Sequence, residues 1–136
     1  MIKLDFSSLV LMERDKETNY LVKELGSYSV GDGAIYVTKF YYDGKKVNMF
    51  FDTNKDVEEW EFYAIYDLFN TNSFEEEGFI IEEVEEEYNP TWVIKFDYDN
   101  EHNVMEERIN TACSIIDKEI KNVFEAIKDK EDEYKE

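Results

Sequence analysis

The chain has 136 residues, 34 of them acidic and 15 basic, for a net charge of −19; 43% are hydrophobic and 16% aromatic. That length suits one domain with its own core, and the apolar content excludes disorder driven by low hydrophobicity. The negative field opposes direct binding to nucleic acid or anionic membranes.

The opening residues Met1-Ile2-Lys3-Leu4-Asp5 lack the basic and apolar regions of a secretory leader. No apolar run approaches the roughly 20 residues that span a bilayer. Residues 4–13 read as a strand with both faces partly buried, with Leu9, Val10, Leu11 and Met12 in a row. Residues 14–19 form a charged turn and 20–25 a second strand, with a bend at Gly26. Gly31-Asp32-Gly33 is a turn signal. Residues 34–42 follow as a strand, Asp43-Gly44 as a tight turn, and 47–51 as the returning strand. The hairpin over 34–52 thus completes a four-stranded antiparallel meander.

Asp56, with Glu59 three residues later, forms a capping box that opens a helix to about Phe69. Trp60, Phe62, Tyr63, Ile65, Tyr66 and Phe69 cover most of its circumference, as in a helix buried on several sides or meeting a partner. Residues 78–88 fit either a strand or a helix; Gly78 and the turn at Asn89-Pro90 favour a strand. Residues 92–98 are a strand. Asn103 and Glu106 make a second capping box. Met105, Ile109, Ala112, Ile116, Ile120, Val123 and Ile127 then trace one stripe of a long helix. The expected fold is an α+β domain over residues 1–130, in the order ββββ-α-ββ-α. It has an antiparallel sheet with two helices packed on one face, and residues 131–136 fray as a charged tail. Residues 37–43 and 93–99 share five identities in seven, a likeness that common strand composition explains.

Chemistry-bearing patterns are sparse. Asp52, Asn54 and Asp56 begin like a calcium loop, but position six is Val57 and position twelve is Tyr63; Asp97, Asp99 and Glu101 fail the same test. One histidine and one cysteine cannot assemble a usual zinc site within one chain. His102 and Cys113 are about three helical turns apart, too far for a catalytic dyad. The lone Cys113 forms no intrachain disulfide and suits a reducing, cytoplasmic setting. No phosphate-binding glycine loop is present. No catalytic residue, cofactor or metal ligand is assigned.

What remains is the segment 56–94, with thirteen acidic side chains, no lysine or arginine, and nine aromatics. Glu82, Glu83, Glu85 and Glu86, with Tyr88, Trp92, Trp60, Tyr63 and Tyr66, form a candidate surface for a basic protein or peptide, aided by cation–π contacts. A solvated sheet edge and ordinary core packing are the competing readings. The stripe Ile109, Ile116, Ile120, Val123 and Ile127 is a candidate homodimer face.

The runs Asp32-Gly33-Ala34-Ile35-Tyr36-Val37-Thr38-Lys39, Val57-Glu58-Glu59-Trp60-Glu61 and Tyr88-Asn89-Pro90-Thr91-Trp92 resemble a family of short acidic bacterial proteins of unknown function. The resemblance covers most of the chain and implies no activity. Size, acidity and mixed α/β order are also similar to bacterial secretion chaperones, which begin with a helix where this chain begins with a strand. The expectation is a small cytoplasmic binding or adaptor protein that captures a basic or amphipathic polypeptide. A nucleic-acid mimic that inhibits a DNA- or RNA-binding protein, and a small-ligand binder or enzyme with an aromatic pocket, are the alternatives.

Overall fold

Runs rich in apolar and β-branched residues form six strands of one sheet among the described residues. The computed structural model describes residues 7–15, 17–18 and 20–135. The strands are β1 (Ser7–Arg14), β2 (Leu21–Val30), β3 (Val37–Tyr42), β4 (Val47–Asp52), β5 (Ile80–Glu83) and β6 (Thr91–Phe96). Four α-helices accompany them among the described residues: α1 (Glu59–Leu68), α2 (Asn72–Glu76), α3 (His102–Ile127) and α4 (Glu131–Tyr134). Residues 4–6 of the expected first strand, Lys16 and Asn19 of the expected turn, and Glu136 of the expected tail lie outside the described residues.

The sheet order is β2-β1-β3-β4-β6-β5. This corrects the expected antiparallel meander: β1 pairs with β3 in parallel, through Met12–Tyr41 and Glu13–Tyr42, and the other pairs are antiparallel. The reason lies in residues 31–36. A 3-10 turn at Ala34–Tyr36 replaces the expected start of β3. It carries the chain across α3 to the far side of β1. Gly33 makes that passage: its φ is +97°, and an added β-carbon would sit 1.9 Å from the carbonyl oxygen of Cys113. Only glycine accepts both conditions.

β2 is therefore an edge strand. Its C-terminal half is covered by polar side chains of α3. Ser29 N–H donates to Glu106 at 2.7 Å, Asn110 Nδ2 donates to the Ser29 carbonyl at 2.8 Å, and Gly31 N–H donates to Asn110 Oδ1 at 3.2 Å. Its other half has the charges Lys23 and Glu24 and two register breaks against β1, features that discourage pairing with another edge.

Register places Val47, Met49 and Phe51 opposite Phe96, Ile94 and Trp92. These six side chains, with Leu11 and Tyr28, are buried, as is the α3 stripe. α3 is 26 residues long, about 39 Å at the usual rise. It contacts β2, the 3-10 turn, α1 and α2. Residues 131–134 form a helical turn against α1, and the Tyr134 hydroxyl donates to Asp67 at 2.9 Å. Of the expected strand over residues 78–88 only Ile80–Glu83 is strand, as β5, and residues 84–88 lie in the connection to β6; α2, which follows the expected helix stop at residues 70–72, is not signalled by the sequence.

Gly33→Ala is expected to cost more than about 2 kcal/mol, because left-handed strain adds to a backbone clash. Gly31→Ala, whose added carbon meets nothing within 4 Å, should stay within about 0.5 kcal/mol. Urea denaturation of both variants checks this pair. A second expectation concerns alkali. Burial raises the Tyr28, Tyr36 and Tyr66 hydroxyls above their ordinary pKa. The unfolded chain then loses these protons first. Stability from this source is complete below about pH 10 and declines as pH rises from there through the folded-state values. Urea midpoints on either side of that pH measure the decline.

Candidate functional site

α1 opens two residues later than the sequence suggests. Glu58, not Asp56, is its cap, and Glu58 N–H donates to the Glu61 carboxylate at 2.8 Å. Asp56 accepts instead from Asn89 Nδ2 at 3.1 Å, while Val57 N–H donates to Asn89 Oδ1 at 3.3 Å. One asparagine side chain thus ties the start of α1 to the segment between β5 and β6. Tyr66, two turns into α1, holds the ends of that segment. Its hydroxyl accepts from Thr91 N–H at 2.9 Å and points its proton at the carbonyls of Thr91, 3.2 Å, and Val84, 3.4 Å.

This tethering places Tyr88 beside α1. Val57, Glu58, Glu59, Phe62, Tyr63 and Tyr88 line a shallow depression of about 380 Å³. Tyr63 is 56% exposed and Tyr88 79% exposed. A neighbouring depression of about 280 Å³ is lined by Glu58, Glu59, Trp60, Tyr63, Tyr134 and Lys135. Tyr63 thus stands between two hollows that share a glutamate rim. Such a surface offers ring faces to a cation and carboxylates to its neighbours. Trp60 is half-buried, and its Nε1–H is buried without an acceptor among the described residues.

The other candidates separate by environment. Glu83, Glu85 and Glu86 are exposed. Glu82 makes a 3.1 Å ion pair with Lys95 across β5 and β6. Trp92 is 1% exposed, with its ring stacked on Phe69 at 4.1 Å and on Phe51 at 5.3 Å. It faces the core because its register partner is Phe51, and it cannot meet a partner molecule. Tyr66 is occupied by its structural hydrogen bonds. Ile109, Ile116, Ile120, Val123 and Ile127 are buried in the chain's own core, so a dimer through these side chains would require opening that core. The sequence reading missed Val57, Glu58, Glu59, Phe62 and Asn89. The paired glutamates at the start of α1 are a signal, but the sequence assigns a role only to Glu59, in a capping box.

His102 Nε2 lies 3.0 Å from the Ser27 carbonyl, and its ring stacks on Tyr28. Cys113 is buried, which pushes its thiol up to about 12, the mark of an inert core cysteine. Asp52 accepts from Asn54 N–H at 2.8 Å in a local turn. Among the described residues no group of three or more metal-ligating side chains converges, and no helix is long and apolar enough to cross a membrane.

The chain belongs to DUF6762, a family of unknown function, which it matches over residues 4–135. No curated protein and no solved structure matches it.

Tyr66→Phe removes the hydroxyl that binds both ends of the segment between β5 and β6. The expected loss is about 1–2 kcal/mol. It should come with faster hydrogen exchange at the Thr91 amide. Unchanged exchange there would show that the hydroxyl does not hold the segment.

Proposed function

We propose that this family member is a small acidic cytoplasmic binding protein that holds a basic or amphipathic polypeptide non-covalently. The observation that carries the reading is the adjacency of exposed Tyr63 and Tyr88 over a depression rimmed by Glu58 and Glu59. Two large exposed aromatics invite an apolar or cationic side chain, since an amphipathic ring gains contact area at small entropic cost. Glu85, Glu86 and Glu87 stand exposed just before Tyr88 in the chain. The result is a negative field around an aromatic patch.

A chain bearing lysines or arginines interleaved with apolar residues satisfies both parts. Electrostatic attraction speeds encounter, and ring contacts slow departure. The nucleic-acid-mimic reading, which needs a continuous carboxylate face, draws less support: Glu82 is neutralised by Lys95 on the strand, away from the turn that carries Glu85 and Glu86.

A synthetic amphipathic peptide of interleaved lysine and leucine is the direct probe. Fluorescence anisotropy should show saturable binding that weakens as salt rises through the range where exposed charges are screened. Tyr63→Ala and Tyr88→Ala should each weaken binding by about 2- to 5-fold, the size of an exposed cation–π contact. The combined change of Glu59, Glu85 and Glu86 to Gln, which spares the cap Glu58, should flatten the salt dependence while leaving stability near the parent value. Absence of binding, or equal binding by all these variants, would remove the proposal.

A further inference from the structure

A second depression, of about 240 Å³, has the opposite character. It lies where the end of β6 meets the first turns of α3, and its lining includes Lys46, Lys95 and Arg108 against Asp97 and Asp99. Three basic and two acidic side chains invert the ratio of the whole chain, which has 15 basic and 34 acidic residues.

Two of these cations are already held. Lys46 pairs with Asp97 at 2.6 Å and Lys95 with Glu82 at 3.1 Å. Arg108 is different. Its guanidinium lies 3.9 Å from the ring centre of buried Phe79 and, after Lys46, its charge helps to lower the Asp97 pKa, yet among the described residues it makes no hydrogen bond or ion pair. The side-chain amines of Lys23, Lys39, Lys45, Lys55 and Lys118 also make none among the described residues, but all five residues are exposed, whereas Arg108 is half-buried.

An arginine stacked on an aromatic ring keeps its planar fork of N–H donors free for an acceptor. Gly78 helps to leave it room. Its φ is +84°, and a β-carbon there would come within 3.3 Å of Arg108 Nη2. Beside the fork the lining turns apolar and aromatic, with Ile80, Phe96, Tyr98, Val104 and Met105.

We infer that this depression binds a small organic anion, with a carboxylate or phosphate on the Arg108 fork and a flat apolar body against the neighbouring aromatic and aliphatic side chains. The volume falls just below the range of about 300–1,000 Å³ typical of drug-sized ligands, which limits the occupant to roughly the size of a substituted benzene ring. The site shares no lining residue with the Tyr63–Tyr88 surface, so the inference stands independently of the proposed polypeptide binding.

Benzoate and phenyl phosphate are the probes, with inorganic phosphate and benzyl alcohol as the anion-only and ring-only controls. Titration of the isotopically labelled full chain should give saturable amide shifts confined to residues 78–80, 96–99 and 104–108, with both controls weaker than the combined ligands. Arg108→Met keeps an apolar side chain over Phe79 and removes the fork. It should weaken binding by at least about tenfold while the thermal midpoint stays near that of the parent. Arg108→Lys should restore only part of the affinity, because a point charge lacks the bidentate geometry. The inference is overturned if the shifts do not saturate, if they fall elsewhere, or if a folded Arg108→Met chain binds as tightly as the parent.

Discussion

A β-carbon at position 33 would lie 1.9 Å from the carbonyl oxygen of Cys113, so the connection leaving β2 can press onto α3 only where the chain supplies glycine. That close passage determines the topology around it. The chain crosses α3, β3 arrives on the far side of β1, and β1 and β3 pair in parallel. β2 is left at the edge, where Glu106 and Asn110 of α3 satisfy the backbone of Ser29 and Gly31. A helix that packs on a sheet usually contributes its apolar stripe alone. Here the polar flank of α3 also closes part of the sheet edge, and it does so because the crossover holds helix and strand together.

A second constraint organises the acidic half of the molecule. Phe51, Phe69, Phe74 and Trp92 form one stacked cluster, with ring centres 4.1–6.1 Å apart. It joins β4 and β6 to α1 and α2. Tyr66 meets the same Trp92 edge-on at 5.3 Å and extends its hydroxyl to the backbone of Val84 and Thr91. Core packing is thereby transmitted to a turn made almost wholly of glutamate, and Tyr88 stands exposed at the end of it. The charge itself remains in water: the glutamates of residues 75–77, 82–83 and 85–87 are all exposed. The buried Glu119 accepts from the Ser73 hydroxyl and from Asn122 Nδ2, as a buried carboxylate must have partners.

Much of the fold was legible because its signals are local. The Asp43-Gly44 turn is a hairpin, with Gly44 at φ +93° and Asp43 N–H donating to the Lys46 carbonyl. The α3 stripe is a core face. Side-chain periodicity shows which residues share a face, but it does not show which strand lies beside which. The parallel β1–β3 pair was invisible for that reason. Likewise, a helix apolar on all sides does not reveal which ring faces water. Tyr63 and Tyr66 are one turn apart on α1, and the neighbouring segment alone makes the first exposed and the second structural. Capping boxes failed in an instructive way. Asp56 and Glu106 fit the local pattern, yet each binds a distant partner instead, Asn89 and Ser29. Local hydrogen bonds gave way to longer ones that joined elements.

The two candidate surfaces also differ in how the whole-chain field acts on them. Around Tyr63 and Tyr88 the local carboxylates and the net charge of −19 have the same sign, so both attract a cationic chain and both fade as salt shortens their reach. At Arg108 the two oppose one another. The guanidinium attracts an anion at hydrogen-bond distance, while the surrounding −19 repels it from farther away. Screening at about 0.15 M salt acts over roughly 8 Å, beyond the length of the contact but within the width of the domain. It removes more of the repulsion than of the attraction. The same electrolyte that would loosen the proposed basic polypeptide from the acidic surface would thus relieve the main electrostatic obstacle to the proposed anion at Arg108. One small acidic domain can therefore present surfaces for ligands of opposite sign, provided that its few half-buried cations are held in place by contacts such as the stack of Arg108 on Phe79 rather than by the abundant carboxylates nearby.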